Sequence, residues 1–485
     1  MKLFLKSAAK RKWSAAVAMA FLVACMDGAN PPEGLCLSLS EEKDLGKKML
    51  EMVKERMSLV EDVEILTYVQ SIGKRVAQNV GTTPYHYQFF IINEPVPNAF
   101  AIPGGYIFIY RGLMELMGSE GELAGILCHE LAHIQARHIH RRMEEGRLLN
   151  IASIAGALAG ILIGMNAKSA DMSNALSIGS MAGAAAMQLK YSRENEEEAD
   201  QLGFRYLLSA GYPSGDMLRG MERLNQGRFV SNSRLPSYLS THPALSERIS
   251  YLAAMVDKEA KNTQRPPRKA SVGDFSMMKA ALVADYTEPQ IASERLQASA
   301  DAGETSGIYG LGRLYLRRGN LEEAVRLLQR AARMEPTSSL ALSTLGAAYH
   351  KQGKYREARS ALESALALNP SSAGVHLRLA AIFQEQGQNE AALEHLKEIE
   401  ELGPTFPEID YQLGLVLGRM NSLGPAHFHL GRFYESRSDW KNALFHYSKA
   451  KPLLMESMEK QHELERLIKD MEKKRNEAQW KQMRK

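Results

Sequence analysis

Pro336, Pro370 and Pro404 stand 34 residues apart, and three other sets of positions keep the same step. Gly312, Gly346, Ala380 and Gly414 form one set, Ala324, Ala358 and Ala392 a second, and Tyr315, Tyr349 and Phe383 a third. No other feature restricts the fold as strongly. Self-similarity at this period calls for a stack of like units, each burying its apolar face against the next. The recurring leucine and aromatic positions are therefore read as packing.

The segments LGRLYLRRGNLEEA and LGAAYHKQGKYREA resemble tetratricopeptide repeats, whose period is also 34 residues. The resemblance implies an α-solenoid of paired helices, with small residues at close approaches and the aromatic filling the gap between them. After Gly414 the register jumps by half a repeat to Gly431 in LGRFYESRSDWKNA, with Ala443 in its expected slot. A loop around Gly424-Pro425 is expected to absorb the jump. Residues 456–485 read as a charged helix that caps the array. His427 and His429 are two apart, so on a helix they face different sides and make a poor metal pair.

Upstream lies GILCHELAHIQARHIH, residues 125–140, with four histidines. His129-Glu130-Leu131-Ala132-His133 is an HExxH motif. On a helix, both imidazoles lie on one face and reach one ion, with Glu130 beside it as a base toward water. A catalytic zinc takes three protein ligands and leaves one position open for water. On a continuous helix His138 faces roughly 140° away from His133, and His140 lies about 10 Å further along the axis. Neither completes the site, and both are expected at the surface or in a second layer. Residues 146–193 offer one acid, Asp171, and no glutamate. The next acids come in YSRENEEEADQLGF, where Glu196 and Asp200 are one helical turn apart. One of them can ligate while the other orients a ligating histidine.

HELAH followed by SRENEEEAD resembles the HtpX/CAAX-prenyl-protease family of zinc metallopeptidases. So do NAFAIPGGYIFIYRGLM, residues 98–114, and STHPALSERI, residues 240–249. The resemblance implies a zincin-like domain holding one Zn2+ through His129, His133 and Glu196. Asp200 orients the site, and Glu194, Glu197 and Glu198 form a solvated acidic face. His242 is implied near the metal, either helping the transition state or filling the open position and holding the enzyme shut.

A protease must hold its substrate extended. Gly105, Tyr106, Ile107 and Phe108 open a β-prone run, expected here to be an edge strand onto which substrate adds. The apolar stretches 148–165 and 175–187 are short for a membrane span and are expected to form a helical hairpin near the site.

The N-terminus has a targeting layout. Lys2, Lys6, Lys10, Arg11 and Lys12 precede an apolar run ending Leu22-Val23-Ala24-Cys25, which resembles a bacterial lipobox. Those five basic residues exceed the whole formal charge of +4, so the remaining chain is nearly neutral and gives no reason to expect nucleic acid. The layout implies acylation at Cys25 and a periplasm-facing protein, with the outer membrane favoured by Met26. Cys36 and Cys128 are too few for a disulfide framework and are expected as free thiols.

The expected fold is α+β and mostly helical. A leader (1–24) and tether (25–40) precede a metallopeptidase domain with a small sheet (41–260). A linker (261–271), a repeat domain (272–455) and a charged helix (456–485) follow. The function the resemblance implies is zinc-dependent hydrolysis of misfolded or mis-assembled outer-membrane or periplasmic proteins, with repeats that recruit clients or β-barrel assembly machinery. A chaperone or scaffold with latent peptidase activity is the alternative.

Overall fold

A computed structural model of the chain describes residues 38–144, 191–230, 238, 241–262, 274–401, 406–454 and 458–483. The leader, Cys25, Cys36, the apolar stretches 148–165 and 175–187 and most of the linker lie outside these residues. Among the described residues no helix is long and apolar enough to cross a membrane.

The first helices are set by their caps. In α1 (Leu39–Arg56), Ser38 accepts from the Glu41 amide while the Glu41 carboxylate accepts from the Ser38 amide. In α2 (Val63–Ala77), Asp62 accepts from the Ile65 amide. Three strands follow: β1 (Gln88–Ile92), β2 (Ala99–Ile102) and β3 (Tyr106–Tyr110). Their order is β1-β3-β2, with β1 parallel and β2 antiparallel to β3.

This order corrects the expected substrate strand. β3, with Tyr106, Ile107 and Phe108, is the central strand, buried along its whole length and paired on both sides. Phe108 is stacked between Phe90 and Phe100, with ring centroids 5.1 and 4.9 Å away. Gly104 and Gly105 take φ of 87° and 94° to turn the chain from β2 into β3, so their glycine character serves the turn and not an incoming backbone. The edges are β1, partly covered by a bridge from Leu59 to Ile92, and β2.

After α3 (Arg111–Leu116) comes α4 (Glu120–Gln135), buried along every residue from Glu120 to Ile134. A helix buried all round carries no polar face, which is why its apolar periodicity is weak. It packs on β2, on α6 (Arg193–Ser209) and on α7 (Gly215–Val230). The short α5 (His138–Glu144) follows α4, and α8 (Leu245–Asn262) packs against α6 and α7. Cys128 is buried in the middle of α4 as a free thiol.

The C-terminal part is an array of helix pairs, from α9 (Phe275–Tyr286) and α10 (Pro289–Asp301) through α11 (Thr305–Arg317), α12 (Leu321–Met334), α13 (Ser339–Lys351), α14 (Tyr355–Leu368), α15 (Ala373–Glu385) and α16 (Asn389–Glu401). It continues as α17 (Pro407–Arg419), α18 (Leu423–Ser436) and α19 (Trp440–Ala450). The small-residue positions are where helices touch. A Cβ at Gly312 would lie 2.8 Å from Leu328 Cγ, one at Gly346 2.7 Å from Leu362 Cγ, and one at Gly414 2.6 Å from Leu430 Cγ.

The half-repeat jump is not absorbed by a loop. Gly424-Pro425 lies inside the first turn of α18. This helix serves two pairs at once: its Leu430 packs on Gly414 of α17, while its Gly431 receives the Tyr447 ring of α19. A shared helix advances the pattern by one helix and its connection, which is half a repeat. His427 and His429 face apart, His427 toward His446 and His429 toward Asp410. The final helix, α20 (Met458–Met483), buries Leu464 and Met471 against Phe428 and Tyr447, and its Lys474 reaches Glu51 of α1 at 2.8 Å.

The array grips the peptidase-like region through buried charges. Arg313 of α11 reaches Asp62 at 2.6 Å, Asp285 at 2.7 Å and Glu64 at 3.4 Å. Glu64 also accepts from Ser343 of α13 and Arg378 of α15 at 2.5 and 2.8 Å. The first turn of α2 is thus held by alternate helices of the array, α11, α13 and α15.

Candidate metal centre

Two helices build the site. A Cβ at Gly203 of α6 would lie 3.1 Å from the Cys128 carbonyl carbon and the His129 nitrogen of α4, so glycine lets the backbones meet. That contact places Glu196 and Asp200, earlier on α6, beside His129.

The polar atoms then sort by role. Nε2 of His129 and Nε2 of His133 are 3.0 Å apart. Glu196 sets Oε2 3.5 Å from His129 Nε2 and Oε1 3.5 Å from His133 Nε2. Asp200 instead meets the far side of His129, with Oδ1 2.8 Å from Nδ1. His242 enters from before α8, its Nδ1 3.0 Å from Glu196 Oε1 and 3.3 Å from His129 Nε2. One ligand atom from each of His129, His133, Glu196 and His242 lies within 4.8 Å of the others, and all four side chains are buried. Two ligands about 2.05 Å from a tetrahedral zinc stand about 3.3 Å apart. Separations of 3.0–3.5 Å, taken over both Glu196 oxygens, are of that size. Glu130 supplies an independent sign: it is fully buried, yet neither carboxylate oxygen has a hydrogen-bond partner. A carboxylate left so is costly unless an ion or water meets it.

Arg248, to which sequence reasoning gave no role, ties the acids together. It donates from Nε and Nη2 to Asp200, both at 2.7 Å, and from Nη1 to Glu196, while being only 1% exposed. Tyr251 also donates to Asp200. Tyr191 stacks on His133 with centroids 3.9 Å apart, and Tyr238 on His242 at 4.3 Å. These residues carry no local pattern; only the position of Arg248 six residues past His242 hints at them.

The electrostatics follow from burial and these partners. Burial and the neighbouring Arg248 would lower His129, but Asp200 and Glu196 outweigh them and hold its imidazolium up to about 9. Metal binding there displaces that proton. Burial pushes Glu130 above the ordinary glutamate range despite nearby His242 and His129. Burial and the charged His129 keep His133 well below the usual histidine value. Burial opposes ionisation of Glu196 and Asp200, yet Arg248 and the histidines hold both below the carboxylate range.

Glu194 and Glu197 are exposed as expected, but Glu198 pairs with His138 and Arg141. His140 is buried. His138 is buried too and meets His133, because the helix assumed to carry it past His133 ends at Gln135.

A buried HExxH helix crossed by a helix bearing Glu196 and Asp200, joined to a helical repeat array, defines a metallopeptidase-like chain. Residues 66–256 match the model of peptidase family M48, and residues 304–371 and 349–412 match tetratricopeptide-repeat models. The chain carries a peptidase family M48 domain followed by tetratricopeptide repeats. It is similar to the beta-barrel assembly-enhancing protease of Escherichia coli (strain K12), 28% identical over 309 residues, covering 62% of each chain. The protein of that name from Yersinia pestis is 31% identical over 256 residues, covering 52% of this chain and 50% of that one. The chain thus spans less than two thirds of the length of these curated relatives. A crystal structure of MamA aligns with 34% of this chain and 95% of its own at 19% identity, with a TM-score of 0.27.

Proposed function

We propose that the chain is a zinc-dependent endopeptidase, with His129, His133 and Glu196 as the ligands and Glu130 as the base. The observation that carries this is the four-residue donor cluster beside a buried Glu130 whose carboxylate has no hydrogen-bond partner, only His242 Nε2 3.6 Å from its Oε1. A zinc held by these residues would supply Lewis acidity toward the scissile carbonyl and water. Glu130 takes the proton from the attacking water and delivers it to the leaving amine, a task suited to its raised proton affinity. Asp200 fixes the His129 ring, and Arg248 holds Asp200 and Glu196 in place. An extended substrate pairs with the edge strand β2, which packs against α4.

His242 is proposed as a gate. Its Nδ1 lies beside His129 Nε2 and Glu196 Oε1, and a fourth protein ligand would leave a bound zinc no open position. Unfolded or mis-assembled outer-membrane proteins are the proposed substrates, in keeping with the names of the relatives. The repeats recruit clients or assembly machinery, and the lipobox-like run ending at Cys25 supports a lipid-anchored, periplasmic location, favouring the outer membrane. The same four-residue donor set also favours a second reading, a repeat-based chaperone whose peptidase is latent.

The test is degradation of an unfolded outer-membrane protein by wild type, by chelator-stripped protein with and without added zinc, and by His242→Ala. The proposal expects loss on stripping, recovery with zinc, and faster cleavage by His242→Ala. Slower cleavage by that variant would assign His242 to transition-state help. Cleavage insensitive to stripping would sink the metal reading.

A further inference from the structure

A straight helix would turn His138 away from His133, but the chain bends between them. α4 ends at Gln135, and Arg137 takes φ of 53°, a left-handed conformation that redirects the backbone into α5. The bend brings His138 back toward the site. Its side chain is 0% exposed, and its Nδ1 lies 2.7 Å from Nδ1 of His133. Its other nitrogen, Nε2, lies 3.2 Å from Oε2 of Glu198, an oxygen that also accepts from Arg141 at 2.8 Å.

One arrangement of hydrogens satisfies this chain. His133 turns Nε2 toward His129 and Glu196, so Nε2 is the nitrogen on the metal side. A neutral ligating imidazole carries its hydrogen on the other nitrogen. His133 Nδ1–H then donates to His138 Nδ1, and His138 Nε2–H donates to Glu198. Tyr191, stacked on the His133 ring at an angle of 22°, restricts its tilt.

We propose that His138 is a positioning residue: it fixes the tautomer and orientation of the ligand His133, with Glu198 as its anchor at the protein surface. The inference rests on the metal site proposed above. Its test is zinc affinity, measured by competition with a chromophoric chelator on the full chain, with circular dichroism to verify folding. His138→Leu removes the acceptor and is expected to lose about 10–100-fold in affinity. His138→Asn places an oxygen where Nδ1 stood and is expected to stay within about threefold of wild type. Glu198→Ala, at a half-exposed position, is expected to lose about threefold and carries the test should His138→Leu not fold. A folded His138→Leu that binds zinc as tightly as wild type overturns the inference, as does an Asn variant as weak as the Leu variant or an unaffected Glu198→Ala. Wild type that binds no zinc overturns the metal site itself, which separates the two failures.

Discussion

Arg248 shows what the buried acids of this site demand. Asp200 beside His129, and Glu196 beside His129, His133 and His242, are buried carboxylates that need a compensating cation, and Arg248 meets both acids while itself buried. Replacing it by methionine keeps volume but leaves Asp200 and Glu196 uncompensated. Arg248→Met is expected to destabilise the chain by about 3–5 kcal/mol, read as a lowered denaturant midpoint, with part of the loss restored by zinc. At this scale the sequence was informative where spacing carries meaning. His129 and His133 one turn apart, and Glu196 and Asp200 one turn apart, stand out in the sequence alone. The structure adds the geometry behind their proposed roles, Glu196 toward the Nε2 nitrogens and Asp200 toward Nδ1. Arg248, Tyr191 and His138 were not legible, because their partners come from other elements and one left-handed residue at 137 redirects the chain.

Elements were legible by type and less so by arrangement. The sequence of β3 is β-prone, yet its local pattern does not encode strand order, and the strand is central where an edge is expected. Five consecutive apolar or aromatic residues from Tyr106 to Tyr110 are nonetheless the mark of a strand buried on both faces. Ile107→Pro is therefore expected to unfold the sheet instead of blocking substrate, at a cost of about 3 kcal/mol or more in thermal or denaturant melts. A folded, fully stable Ile107→Pro variant contradicts the central placement. Gly203 is the corresponding position between helices. Gly203→Leu pushes α6 off α4 and is expected to weaken metal binding, since Glu196 moves with α6 while His129 and His133 stay with α4. The half-repeat jump had a local sign in Gly431, yet its solution, one helix shared by two pairs, emerges only when Leu430 and Gly431 are seen facing different neighbours.

For the whole molecule, the repeat period dictated a solenoid but said nothing of what the solenoid holds. Glu64 meets Arg313, Ser343 and Arg378, which lie 249, 279 and 314 residues further along the chain. No local pattern announces such pairs, and each of these residues reads alone as an ordinary surface charge or hydroxyl. Arg378→Glu sets like charges together there and is expected to loosen the array from the first turn of α2, raising the radius of gyration in solution scattering; an unchanged radius argues against the grip. The central claim is that hydrolysis runs through Glu130 at a zinc site built from His129, His133 and Glu196. The most direct test compares zinc content and cleavage of an unfolded outer-membrane protein between wild type and Glu130→Gln. The account predicts about one zinc per chain in both and cleavage slowed about 100–10,000-fold in the variant. Equal cleavage by the two proteins would contradict it.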